Sequence, residues 1–132
     1  MTAWQESFEQ TLRVLGFVRP SGAGRMTRGW VHPDLWLGFE VVSSSLMEGR
    51  ADRGRVRLVD FGTDGIACFV SVEDLIADRM GQYASGSAPD MLGQARELLA
   101  LHDQLDVDYL ERRIREETLG EYGTPDVRAR AV

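Results

Sequence analysis

Residues 55–74 read Arg55-Val56-Arg57-Leu58-Val59-Asp60-Phe61-Gly62-Thr63-Asp64-Gly65-Ile66-Ala67-Cys68-Phe69-Val70-Ser71-Val72-Glu73-Asp74. Val56 and Leu58 alternate with Arg55 and Arg57, which is the period of a strand. Gly62-Thr63-Asp64-Gly65 is a turn, and residues 66–70 return as a second strand, so the pair reads as a hairpin. Ser71-Val72-Glu73-Asp74 then carries the Ser-x-x-Asp pattern of a helix start. Strand periodicity therefore gives way to helix periodicity at Ser71. Strands gathered in hairpins, with helices gathered elsewhere, indicate the α+β class.

Working upstream, Phe8, Leu12 and Leu15 share one face of a helix over residues 4–15, and Gly16 stops it. Phe17 and Val18 start a strand that Pro20 ends. Ser21-Gly22-Ala23-Gly24 is a turn. A first hairpin follows, residues 28–32 and 35–42, around Pro33-Asp34. Pro33-Asp34 is not a favoured two-residue turn, so a longer loop is open. In the second strand of this pair, Leu35, Leu37, Phe39 and Val41 face one way, and Trp36, Gly38, Glu40 and Val42 the other. Both sets are largely apolar, which places the strand centrally in its sheet. Residues 43–54 are polar and read as a loop.

Downstream, Leu75, Ile76, Met80 and Tyr83 supply the buried stripe of the first helix after the hairpin. Ser87-Ala88-Pro89-Asp90 opens a second helix, with Met91, Leu92, Ala95, Leu98 and Leu99 on its apolar face. Asp106 caps a third, with Val107, Leu110 and Ile114 as its stripe, and Glu111 and Arg115 pair one turn apart. Gly123-Thr124-Pro125-Asp126 starts a short helix or frays. The expected architecture is an N-terminal helix, then a mostly antiparallel four- to five-stranded sheet built from hairpins. Three C-terminal helices pack on that sheet. We expect one domain over residues 1–132: helix to 16, sheet 17–70, helices 71–118, tail 119–132.

Composition narrows the chemistry. All 15 basic residues are Arg, against 21 acids, for a net charge of -6. Without Lys there is no lysine Schiff base, lysine general base or Walker A lysine. Net acidity repels phosphate backbones, so nucleic-acid binding by the whole protein is not expected. The single cysteine, Cys68, excludes an internal disulfide and fits a reducing cytoplasm. No apolar run approaches the ~20 residues that span a bilayer, and the N-terminus lacks a signal-peptide pattern.

Glu40 is the foremost candidate residue. A carboxylate between Phe39 and Val41 on a strand needs a partner. Two readings are open: an ion pair, with Arg28 across the hairpin, or a metal-binding or catalytic role. His32 and Asp34 flank the turn and could join Glu40 as nitrogen and oxygen ligands. In the alternative, Asp34 caps the turn and His32 is simply exposed. His102 follows a helix end, where a histidine partners the dipole. Asp106-Val107-Asp108 sits at a helix start, so capping accounts for it. Cys68 shares a face with Ile66 and Val70 and reads as a small buried hydrophobe. Arg25, Arg28, Arg50, Arg53, Arg55 and Arg57 gather in the strand region, while Asp103, Asp106, Asp108, Glu111, Glu116, Glu117 and Glu121 follow in the helices. That layout suggests an Arg-rich sheet face, an acid-to-base contact between protomers, or a mixed solvated surface.

Three stretches carry a resemblance. They are Arg28-Gly29-Trp30-Val31-His32-Pro33-Asp34, then Leu37-Gly38-Phe39-Glu40-Val41-Val42, then Ser71-Val72-Glu73-Asp74-Leu75-Ile76-Ala77-Asp78-Arg79. With Leu105-Asp106-Val107-Asp108-Tyr109-Leu110, they resemble the later part of small bacterial nucleotidyltransferase-like proteins, including abortive-infection toxins of toxin–antitoxin systems. The resemblance spans roughly residues 7–118. It implies that Glu40 stands where the family has its third metal-binding carboxylate, and Arg79 where the family often has Lys. The family's Gly-Ser turn and strand-borne Asp-x-Asp pair are missing. Metal-dependent nucleotidyl transfer needs several converging carboxylates. The resemblance therefore implies a shortened, non-catalytic relative that binds a protein partner or itself, possible homodimer included. Alternatively a partial site, with Glu40, His32 and Asp34 and completed by a partner, would use Mg2+ and a nucleotide. Ligand-binding candidates under either reading are Arg28, His32, Asp34 and Arg79. A third expectation is a stand-alone interaction module that uses the Arg-rich face.

Overall fold

The computed structural model describes residues 3–20, 29–40 and 45–129. It is α+β, as expected, with an N-terminal helix, antiparallel hairpins and C-terminal helices. The chain divides into two compact units, Met1–Ser45 and Leu46–Val132.

The first unit opens with α1, Ala3–Val14. Gly16 ends it at φ +93°, a left-handed conformation that costs glycine little. The Phe17 amide bonds to the Leu12 carbonyl at 2.9 Å, and the Gly16 amide to the Arg13 carbonyl at 3.1 Å. Leu12 and Phe17 are both buried, so the backbone lock and the apolar contact of this type of helix end coincide. Val18 forms a bridge to Val31, the short strand anticipated before Pro20. Strands β1 (Gly29–His32) and β2 (Leu37–Glu40) pair antiparallel, with Gly29 opposite Glu40 and His32 opposite Leu37. Four residues, not two, connect them, and Trp36 takes φ +54° at the end of the loop. Trp30 is buried, with the Arg13 and Arg19 guanidinium groups 5.0 and 4.9 Å from its ring centre. Glu9 ties to both arginines.

One expectation fails here for a definite reason. Strand β2 is exposed along its whole length. Among the described residues it hydrogen-bonds only to β1, so it is not a central strand. Alternating apolar faces predict burial only when another layer covers them.

In the second unit, short 3-10 turns at Leu46–Gly49 and Arg53–Arg55 lead into β3 (Arg57–Asp60). It pairs antiparallel with β4 (Ile66–Phe69). The Asp60 carboxylate accepts from the Gly62 amide, and positive φ at Gly62 and Gly65 completes the turn. The four strands thus form two separate two-stranded ribbons among the described residues, not one sheet. Cys68, expected inside, is exposed, because nothing in its ribbon covers the face it shares with Leu58 and Ile66.

Four helices follow: α2 (Val72–Ala84), α3 (Met91–Ala100), α4 (Val107–Glu117) and α5 (Thr124–Arg128). Ser71 caps α2 by accepting from the Asp74 amide, and Asp106 caps α4 by accepting from the Tyr109 amide. Both caps fall where the sequence puts them. The core is Ile76, Ala77, Met80, Ala95, Leu110, Ile114 and Val127, all contributed by helices. The helices therefore bury their stripes against one another. A ribbon of two four-residue strands is too narrow to receive them.

Candidate functional site

His32 and Asp34 meet at the β1–β2 turn, but their roles are reversed from the expected ones. The His32 imidazole Nδ1 accepts from the Asp34 and Leu35 amides, at 3.2 Å each, so histidine closes the turn. Its ring stacks edge-on against Phe17 at 5.1 Å. Glu40 lies at the opposite end of the same ribbon, three register steps away, or roughly 10 Å. It is exposed, so the burial that demanded a partner is absent. Arg28 and the Ser21-Gly22-Ala23-Gly24 turn lie outside the described residues. Arg79 belongs to the second unit, where it donates to Gln94 at 3.1 Å and Asp78 at 2.6 Å and so links α2 to α3. No group of three or more His, Cys, Asp or Glu side chains placed to hold a metal occurs among the described residues.

The charge layout acquires a simple physical account. Arg50 pairs with Glu117 at 3.3 Å, and Arg55 with Asp106 at 2.8 Å. Arginines before the helices thus answer the acid that caps α4 and an acid in its last turn, within one unit. Arg55 also lies over the Tyr109 ring, 4.0 Å from its centre. The Tyr109 amide and then Arg55 hold the Asp106 carboxyl below its ordinary value. Among the described arginines of that group, Arg53 and Arg55 lie in a 3-10 turn and Arg57 on β3.

Sequence reasoning missed a buried cluster. Asp74 on α2 and Arg113 on α4 are both fully buried. Arg113 Nε donates to Asp74 at 2.7 Å, the Tyr109 hydroxyl donates to it at 2.9 Å, and the Ser71 hydroxyl at 2.8 Å. The Tyr109 oxygen accepts in turn from the Asp52 amide. The rest of the Arg113 fork reaches Glu116 and Glu117, both at 2.8 Å. Burial pulls the guanidinium down, but these hydrogen bonds outweigh it, and Arg113 is held above the ordinary arginine value. The signal was present: Asp74 and Arg113 each fall in the apolar stripe of a helix. Two opposite charges in two core stripes are a pair, and this one joins α2 to α4.

Glu111 anchors α5. Its carboxylate accepts from the Thr124 hydroxyl and, at 2.6 Å, from the Thr124 amide, while Arg115 donates at 2.9 Å. These bonds lower its pKa from 4.5 to about 2. A carboxylate depressed in the folded state stabilises above its unfolded pKa and loses that contribution as pH falls toward the folded value. We expect the stability difference between wild type and Glu111→Gln to be full above pH 4.5 and to vanish as pH approaches about 2. Urea unfolding at several pH values measures it, and a difference independent of pH refutes it.

A cleft of about 560 Å3 opens in the second unit beside the N-terminus of α2 and the α3–α4 loop. Its walls include Arg55, Arg57, Ser71, Glu73, His102 and Asp103. The volume lies within the roughly 300–1,000 Å3 of small-molecule sites. The Glu73 carboxylate accepts from the Asp106 amide at 3.1 Å. The His102 Nδ1 lies 2.8 Å from the Leu98 carbonyl, which can only accept, so Nδ1 is the donor of this bond.

Neither a family model, nor a curated protein, nor a solved structure matches this chain. The site is therefore read from its own geometry. Its features are a polar cleft, a structural ion-pair cluster and an exposed apolar ribbon. That ribbon carries Leu58, Cys68 and Ile66 on one face and Val59, Ala67 and Phe69 on the other. Leu58 and Ile66 are 69% and 68% exposed. No described helix is long and apolar enough to cross a membrane.

Proposed function

We propose that this chain is a non-catalytic binding protein whose partner is a protein, in the first instance a second copy of itself. The observation that carries the reading is the β3–β4 ribbon. Leu58, Phe61, Ile66 and Phe69 are each half exposed or more on a two-stranded ribbon. Such a ribbon is marginal alone in water and gains from a third strand or a covering face. The reading suits a nucleotidyltransferase-like chain of a toxin–antitoxin or defence system. A cytoplasmic location suits the exposed thiol of Cys68, which a reducing compartment keeps free.

Light scattering behind size exclusion tests the partner. The expected result is a concentration-dependent dimer. Leu58→Arg with Ile66→Arg is expected to return it to monomer with unchanged helix content. A wild-type monomer at all concentrations rejects self-association. A separate assay supplies ATP, GTP or CTP with Mg2+ or Mn2+. No nucleotidyl transfer is expected, and transfer lost in Glu40→Ala overturns the non-catalytic reading.

A further inference from the structure

We propose that the cleft of the second unit binds a small zwitterion of amino-acid or dipeptide size, its carboxylate on Arg57 and its ammonium on Asp103. The argument rests on which charges around the cleft are already answered. Arg55 is taken by Asp106 and Asp52. Glu73 accepts from the Asp106 amide, and the Ser71 hydroxyl is committed to Asp74. The side chains of Arg57 and Asp103 line the same cleft and make no hydrogen bond or ion pair among the described residues, with each other or with any other group. A free cation and a free anion held apart around one space of about 560 Å3 match a molecule that bears both charges.

Two further features fit. His102 donates its Nδ1–H to the Leu98 carbonyl, and the neutral form of the ring then offers Nε2 as an acceptor for an ammonium N–H. The first turn of α2, Val72 and Glu73, lines the cleft, and the positive end of that helix favours the anionic half of the ligand. A simple anion meets the unpaired Asp103, and a simple cation meets the unpaired Arg57. Only a ligand of mixed charge avoids both repulsions.

The test is a nuclear magnetic resonance titration of the amides around the cleft, using glycylglycine, acetate and methylammonium as separate probes. Saturable shifts with glycylglycine are expected, at an affinity about tenfold above either singly charged probe. Arg57→Gln and Asp103→Asn are each expected to lower glycylglycine affinity about tenfold. Both side chains are exposed, so thermal melts of the variants should match wild type. Acetate binding as tightly as glycylglycine marks a plain anion site and overturns the proposal. So does the absence of saturable shifts with glycylglycine, or unchanged affinity in both variants.

Discussion

Arg113→Leu is expected to lower the unfolding free energy by about 3–5 kcal/mol, because it leaves the Asp74 carboxylate buried without its cation. Asp74 has no exposed surface and depends on Arg113, Tyr109 and Ser71 for every contact that replaces water. The two hydroxyls that remain are neutral donors, and a neutral donor stabilises a carboxylate less than a guanidinium does. Asp74→Leu should fail similarly, with Arg113 keeping only Glu116 and Glu117. The double variant Asp74→Leu with Arg113→Leu should cost clearly less than the sum of the two, since no unpaired charge is left behind. Urea unfolding of the four proteins completes the cycle. A loss under about 1 kcal/mol in Arg113→Leu would show that the pair is not desolvated in solution.

Leu110→Ala should cost about 2–5 kcal/mol. Leu110 is fully buried in a core shared with Ile76 and Met80 of α2 and with Ile114 on its own helix. Val107, one turn earlier on α4, is 42% exposed. Val107→Ala is therefore the control and should stay within about 0.5 kcal/mol. Chemical denaturation measures both. Equal losses at the two positions would contradict the face that α4 buries.

These two positions show what was legible in the sequence. The periodicity of α4 correctly selected Leu110 and Ile114 but also Val107, which lies outside the core. Pattern reading ranks residues by hydrophobicity, so it took an apolar Val107 and passed over a charged Arg113. The helix starts were legible because a cap depends on residues three apart. Ser71 and Asp106 needed no tertiary partner to be recognised. The stop at Gly16 was legible for the same reason. The hairpin at residues 57–69 was legible from its turn, but its burial was not. Cys68 and Ile66 alternate like core residues, and only the absence of a covering layer in the ribbon leaves them exposed.

The candidate site was less legible still. Glu40, His32 and Asp34 are eight positions apart at most, yet an antiparallel register carries Glu40 to the far end of the ribbon. Arg57 and Asp103 are remote in sequence and line one cleft.

By itself, then, the sequence determined the class of this protein, its hairpins, its helix caps and the exclusion of lysine chemistry, all of which depend on composition or on neighbours within a few residues. The tertiary structure alone decided that the described strands form two ribbons, that Asp74 meets Arg113, and that the side chains of Arg57 and Asp103 stay unpaired among the described residues around a shared space. Those outcomes depend on which surfaces the chain brings together, and local spacing carries no record of that.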